Sequence, residues 1–432
     1  MQEYDENRQQ AIALVESLRA GIPTRASTRK LPDLRASLTE PIKQDLAQLA
    51  EDNIPQGRLV WGAYGQGKTH TLTTIEHLAL DLGFAVSRVS LSREVSCHQL
   101  FNFYGRVASA IRTPQSQVLG IQLALEQKSA QDLPDWIQEQ RYIHPLPALV
   151  LEDYFYSTGE EQDSLYGDLM GTRLTMPDLR RIHRNCRAEP LPKFESFVVK
   201  KHAGAYFGTI ADVLVWCGYK GWVILIDEVE LIGRLGKVGW LEAYRNLNWL
   251  LNWSETMCYP IYIVGVVASS LRNDVWFSSN SAKSDRHQIP ELAAQKLGQD
   301  AAIEMKNFFE LAIDARQCPT TGPLSQGELI KLLESLREYH GIAYAWNAQL
   351  DIESLIQHTG SQPVRTHIRA ALEALDISYT YQEILIPEPT NLVEGSVEEE
   401  EGFFQENQSV MCDATGNQGM LRYMAIMIVF KR

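Results

Sequence analysis

Residues 62–69 read Gly62-Ala63-Tyr64-Gly65-Gln66-Gly67-Lys68-Thr69, and their flanks restrict what the chain can fold into. A short apolar run, Leu59-Val60-Trp61, precedes them and reads as a strand. Thr71 to Leu82 follows, with Leu72, Ile75, Leu78, Ala79 and Leu82 at helical spacing. A strand that turns through this G-x-x-x-x-G-K-[ST] spacing into a helix predicts an α/β chain of the P-loop NTPase kind, built on a parallel sheet. Glycines at 62, 65 and 67 let the backbone curl so that successive N–H groups point inward at a phosphate chain, and the helix start adds its positive dipole. The predicted ATP cradle is Gly62, Tyr64, Gly65, Gln66, Gly67, Lys68, Thr69 and His70. Lys68 reaches the β and γ phosphates, and Thr69 offers a hydroxyl to Mg²⁺, which prefers hard oxygen ligands.

A second segment supplies the other half of such a site. Trp222-Val223-Ile224-Leu225-Ile226-Asp227-Glu228 is an apolar run ending in two carboxylates, as expected of a strand buried on both faces whose C-terminal end opens on a ligand. Asp227 is expected to hold Mg²⁺ through water, and Glu228 to orient and deprotonate the attacking water. An acid directly after the metal-binding Asp favours NTP hydrolysis over phosphoryl transfer to a small molecule. The guanine-reading Asn-Lys-x-Asp does not occur in the chain, so an adenine nucleotide is the default.

The remaining expectations concern organisation. A first helix with Ile12, Val15 and Leu18 on one face ends near Gly21-Ile22-Pro23, a basic connector covers 24–38, and a second helix starts at Thr39 as cap with Pro41 in its first turn. Phe84–Ser90 reads as a strand and His98–Arg112 as a helix. Lys68 and Asp227 lie much further apart than the ~30 residues of one βαβ unit. The Pro-rich stretch between them reads as a helical insertion over about 113–195. Phe197–Trp216 reads as a helix, Leu235–Trp253 as another, and Pro260–Val267 as a strand whose end carries Ser269, Ser270, Arg272 and Asn273. From about Pro290 the pattern is helical: Ser325-Gln326-Gly327-Glu328 is a capping box, and Pro363 opens a helix carrying Arg365 and Arg369. Arg365 is the candidate that senses bound nucleotide from a C-terminal helical lid. The predicted domains are N-terminal helices and connector (1–56), ATPase core (57–290), lid (291–382) and an acidic, non-periodic tail (383–432).

Charge and cysteines narrow the class. A formal charge of −14 argues against nonspecific coating of nucleic acid. Arg173–Lys201 nevertheless holds eight basic against three acidic residues, a candidate face for double-stranded DNA as well as an ordinary solvated helix face, whereas Glu383–Glu406 holds eight Glu and no Lys or Arg. The six cysteines are scattered with no C-x-x-C pair, which fits reduced thiols and gives no zinc ligand cluster. The acidic opening, Met1 to Glu6, is unlike a secretory signal. The late apolar run Tyr423–Phe430 is far short of the ~20 residues that span a bilayer. A cytoplasmic location without a membrane is expected.

On four segments the chain resembles a known family. They are Ala13–Pro23, Gly62–His70, His144-Pro145-Leu146-Pro147-Ala148-Leu149, and Gly218-Tyr219-Lys220-Gly221-Trp222 running into Ile226-Asp227-Glu228-Val229-Glu230. The family is that of BrxD-like P-loop, AAA-like ATPases of BREX (bacteriophage exclusion) systems, and the resemblance covers most of residues 5–378. It implies an ATPase in a multi-gene phage-defence system that separates self from foreign DNA by methylation, often encoded beside a large helicase. The Glu-rich tail and the ending Met420–Phe430 depart from that family. The expected activity is that of an oligomeric switch or motor whose neighbour supplies an Arg finger, with Arg234, Arg272 and Arg286 as candidates and a helicase or methyltransferase complex as partner. The alternative is a nucleotide-dependent scaffold with little turnover; a small-molecule kinase is disfavoured by the carboxylate pair.

Overall fold

A computed structural model describes residues 2–381 apart from 22, 23, 93, 115, 117, 138–140 and 236. The acidic tail expected over 383–432 lies outside the described residues. Five strands form one sheet: β1 (Arg58–Gly62), β2 (Ala85–Ser90), β3 (Ile111–Arg112), β4 (Trp222–Asp227) and β5 (Ile261–Ala268), in the order β1-β5-β4-β2-β3. All neighbours are parallel except β3, which pairs antiparallel with β2, Val86 opposite Arg112. β4 and β5 are buried at every position, the condition under which parallel strands are continuous apolar runs.

Alternate strand side chains feed two cores. Leu59, Trp61, Trp222, Ile224, Ile226, Ile261 and Ile263 pack among the helices Leu100–Ser109, Val199–Trp216 and Lys237–Leu250. Val60, Val223, Leu225, Tyr262 and Val264 face the helices Ala36–Ala50 and Lys68–Asp81. The sheet is thus the middle of three layers. A third cluster joins the two ends of the described chain: Leu14, Val15 and Leu18 of the first helix, Gln2–Arg19, pack with Leu332, Leu333, Leu355 and Ala371 of the helices Gln326–Tyr344, Ile352–Thr359 and Val364–Tyr381.

Several elements differ from expectation. The helix expected to start at Thr39 starts at Ala36, after a short helix, Arg25–Lys30, inside the expected connector; the Asp33 carboxylate accepts from the Arg35 N–H at 2.9 Å and from the Thr39 hydroxyl at 2.7 Å, so Asp33 organises the start and Pro41 falls inside the helix. The helix expected to reach Arg112 stops at Ser109. Buried, β-branched Ile111 is worth more on the open edge of β2, opposite Ser87, than in a further helical turn. Beyond Pro290 the chain is not wholly helical. Residues 317–321 run beside β1, with the Leu59 N–H donating to the Gln317 carbonyl (3.0 Å), the Trp61 N–H to Pro319 (2.9 Å), and the Thr321 N–H back to Trp61 (2.6 Å). The stretch expected as an insertion contains the helices Leu146–Tyr156, Glu160–Leu169 and Met176–Arg187. Among the described residues no helix is long and apolar enough to cross a membrane.

Candidate functional site

The loop between β1 and the helix Lys68–Asp81 sits at the C-terminal edge of the sheet. Gly65 (φ +73°) and Gly67 (φ +83°, the residue before the helix) occupy the left-handed region, which disfavours any residue with a Cβ. A Cβ on Gly62 would lie 1.9 Å from Thr321 Oγ1, so the 317–321 segment requires glycine there. Lys68 Nζ donates to the carbonyls of Gly62 (2.9 Å) and Ala63 (3.2 Å), folding the ammonium over its own loop. Thr69 and Tyr64 are exposed, whereas Gln66 and His70 are half-buried. The Gln66 carbonyl accepts from Arg35 Nη2 (2.8 Å). Burial, with Arg35 close by, pushes His70 down to about 4, so its ring is neutral near pH 7.

The carboxylate end of β4 meets this loop through one guanidinium. Asp227 is buried; its Oδ1 accepts from the Glu228 N–H (3.1 Å) and its Oδ2 from Arg88 Nη2 (3.1 Å). Arg88, on the neighbouring strand β2, also donates to the Thr69 carbonyl (3.4 Å) and the Thr73 hydroxyl (2.7 Å). Glu228 is exposed, with φ +57°, a left-handed turn that costs a non-glycine residue roughly 1 kcal/mol. It opens the 3₁₀ turn Val229–Arg234, and two residues on, Glu230 accepts from the Ala268 N–H at the end of β5 (3.1 Å). Burial pushes Glu230 above the usual carboxylate range, against the pull of backbone hydrogen bonding and of Lys68, with Asp227 adding repulsion.

Arg88, Arg35 and Glu230 carry no role in the sequence reading. The available signals were slight: a charge interrupting the run Ala85-Val86-Ser87-Arg88-Val89 of a core strand, and an acid three residues after Asp227.

The last described helix begins on the loop. The Arg365 N–H donates to the Gly65 carbonyl (3.4 Å), its Nη1 to the Tyr64 hydroxyl (2.7 Å) and its Nη2 to the Gly21 carbonyl (3.3 Å), and its guanidinium lies 5.0 Å from the Tyr64 ring centre. Arg369 is exposed one turn further on. The end of β5 stands between β1 and β4 in the sheet, with Ser269 and Ser270 half-buried beside it. Arg272 lies 5.5 Å over the Trp61 ring and Arg286 5.9 Å over Phe277; the Arg234 side chain lies outside the described residues.

In the basic segment, much of the charge is compensated within the chain. Arg181 pairs with Glu161 (2.9 Å), Arg187 with Glu152 (2.8 Å), Lys201 with Glu195 (3.4 Å) and Lys200 with Glu242 (4.0 Å), while Arg173 stacks 4.7 Å over Phe197. Arg180, Arg184 and Lys193 remain exposed.

Residues 7–127 match the family model of the BREX system ATP-binding protein BrxC/D, so over this stretch, which includes the loop, the chain is BrxC/D-like. Neither a curated protein nor a solved structure matches the chain.

Proposed function

We propose that this chain, BrxC/D-like over residues 7–127, is an ATP-binding and ATP-hydrolysing AAA-like protein of a BREX-type anti-phage system. The observation that carries the reading is Arg88, whose guanidinium reaches both the Thr69 carbonyl (3.4 Å) and Asp227 Oδ2 (3.1 Å). Loop and carboxylate strand therefore converge on one place, as a site for a triphosphate requires. The position of β5 between β1 and β4 further supports an AAA-like core, because its end then opens between phosphate and carboxylates.

In this reading the amides of 63–68 cradle the phosphates, and Lys68 Nζ exchanges the Gly62 and Ala63 carbonyls for phosphate oxygens. Among the described residues no group of three His, Cys, Asp or Glu could hold a metal. Mg²⁺ at a phosphate needs only one or two protein oxygens, and the hard-oxygen pair Thr69 and Asp227 fits that demand. When bound, the ion would neutralise phosphate charge. Glu228, exposed at the strand end, takes the proton of the attacking water. Arg365, which bonds Tyr64 and the Gly65 carbonyl, carries the state of the loop into the last helix. The molecule would act as an oligomeric switch or motor on DNA or on a helicase or methylation partner, and Arg180, Arg184 and Lys193 are the cations left to meet a phosphate backbone.

Phosphate release by the wild-type chain, Lys68→Ala and Glu228→Gln, with and without double-stranded DNA, tests the proposal. Lys68→Ala should weaken ATP binding at least about tenfold. Glu228→Gln should keep binding and lower turnover by about 10²-fold or more. ATP binding without measurable turnover in the wild type would favour the scaffold; no ATP binding at all would sink both.

A further inference from the structure

Away from the loop, the first helix, the short helix Arg25–Lys30, the outer end of the helix Lys68–Asp81 and the start of the insertion border a half-open cavity of about 980 Å³. Arg25, Arg29, Lys30 and Arg112 line it, and Leu80 and Pro114 add apolar wall. Asp81 at the rim is already taken by Arg29. Behind the arginines lies Glu76, 2% exposed, met by Arg25 at 3.0 Å, Arg112 at 3.8 Å and Arg88 at 3.9 Å. One buried carboxylate thus serves three guanidiniums. Arg25 Nε is buried and lacks a hydrogen-bond partner among the described residues. Burial lowers the Arg25 pKa, and the repulsion of Arg112, Arg88 and Arg29 adds to it against the attraction of Glu76.

Crowded, partly desolvated cations with too few counter-charges cost free energy, which an incoming anion relieves. Guanidinium forks match phosphate oxygens in particular, since two parallel N–H groups meet two oxygens. The volume lies in the range of small-molecule sites, about 300–1,000 Å³. We propose that this cavity binds a phosphorylated small molecule of nucleotide size, its phosphates on Arg25, Arg29 and Arg112 and its less polar part against Leu80 and Pro114. Occupancy is felt at the candidate site through Glu76: an anion that draws Arg25 and Arg112 outward leaves Glu76 to Arg88, the residue that holds Asp227. This coupling rests on the nucleotide reading above, whereas the binding does not.

The test titrates metal-free pyrophosphate by calorimetry into the full chain carrying Lys68→Ala, which disables the loop. A single binding event is expected, weakened about tenfold by adding Arg112→Gln and several-fold by adding Arg29→Gln at the exposed rim, with Lys306→Gln, an exposed change on the helix Gln299–Leu311, as a neutral control. Thermal melts check that each variant is folded. No binding to Lys68→Ala, or binding unmoved by both Arg112→Gln and Arg29→Gln, overturns the proposal. So does a double-stranded oligonucleotide that binds in an Arg112- and Arg29-dependent way where pyrophosphate does not, since the phosphates would then be those of a nucleic-acid backbone. In the chain with an intact loop, Arg112→Gln should shift ATP affinity by about threefold or more; unchanged affinity overturns the coupling.

Discussion

Arg88 shows how much one side chain can decide. A guanidinium on a core strand is costly to bury, and here it is compensated by Asp227, Glu76 and the hydroxyl of Thr73. Removing it leaves two buried carboxylates each short of a partner. Arg88→Met should therefore destabilise the fold by about 2–3 kcal/mol in urea unfolding. A loss under about 0.5 kcal/mol, the range of ordinary surface changes, would mean that Arg88 holds nothing together. Glu228 is the contrast: exposed and at the strand end, it is the cleaner probe of chemistry.

At the scale of elements, the edge of the sheet next to the loop is set by a segment far along the chain. Residues 317–321 lie against β1 so closely that Gly62 has no room for a methyl group beside Thr321 Oγ1. Gly62→Ala should cost about 1–3 kcal/mol, and less by about 1 kcal/mol in a Thr321→Ala background, because the hydroxyl that clashes is gone. A double-mutant cycle with no coupling would show that the segment does not press on the loop.

A second element carries a pH dependence. At the start of the helix Asp285–Leu297, Asp285 is wholly buried; the Tyr244 hydroxyl donates to one of its oxygens, and the other has no partner among the described residues. Burial pushes its carboxyl up to about 7, against the pull of Tyr244. The folded state therefore prefers the protonated form. Its stabilisation is fully present below the unfolded pKa near 3.8 and is lost as pH rises through about 7. The expected loss across that window is on the order of 4 kcal/mol. Asp285→Asn should flatten the stability profile between pH 4 and 7; an unchanged slope, measured by urea unfolding, would locate the titration elsewhere.

For the molecule as a whole, the joining of its ends is the feature with most consequence. Leu14, 2% exposed, belongs to the same cluster as Leu332, Leu333 and Ala371 of the last helices, and Arg19 pairs with Asp376 at 2.8 Å. The first helix thus braces the helix that bears Arg365 and its two neighbours. Leu14→Ala should cost about 2–5 kcal/mol of local stability and speed amide hydrogen exchange in the helices 326–344 and 364–381. Exchange unchanged there would separate the first helix from those C-terminal helices.

Sequence alone was enough for β1, the loop, the helix after it and the carboxylate strand. Each is a local matter of residue period and spacing, so the eight residues from Gly62 to Thr69 and the run ending at Asp227 carry their own geometry. The capping box at Ser325 was readable for the same reason, with Ser325 and Glu328 bonding each other's backbone. Only the tertiary structure could bring Arg88 to Asp227 across 139 positions, set residues 317–321 beside β1, or pack the first helix on the last. Those partners are chosen by which surfaces remain uncovered once the sheet has formed, and no local pattern in a chain records that choice.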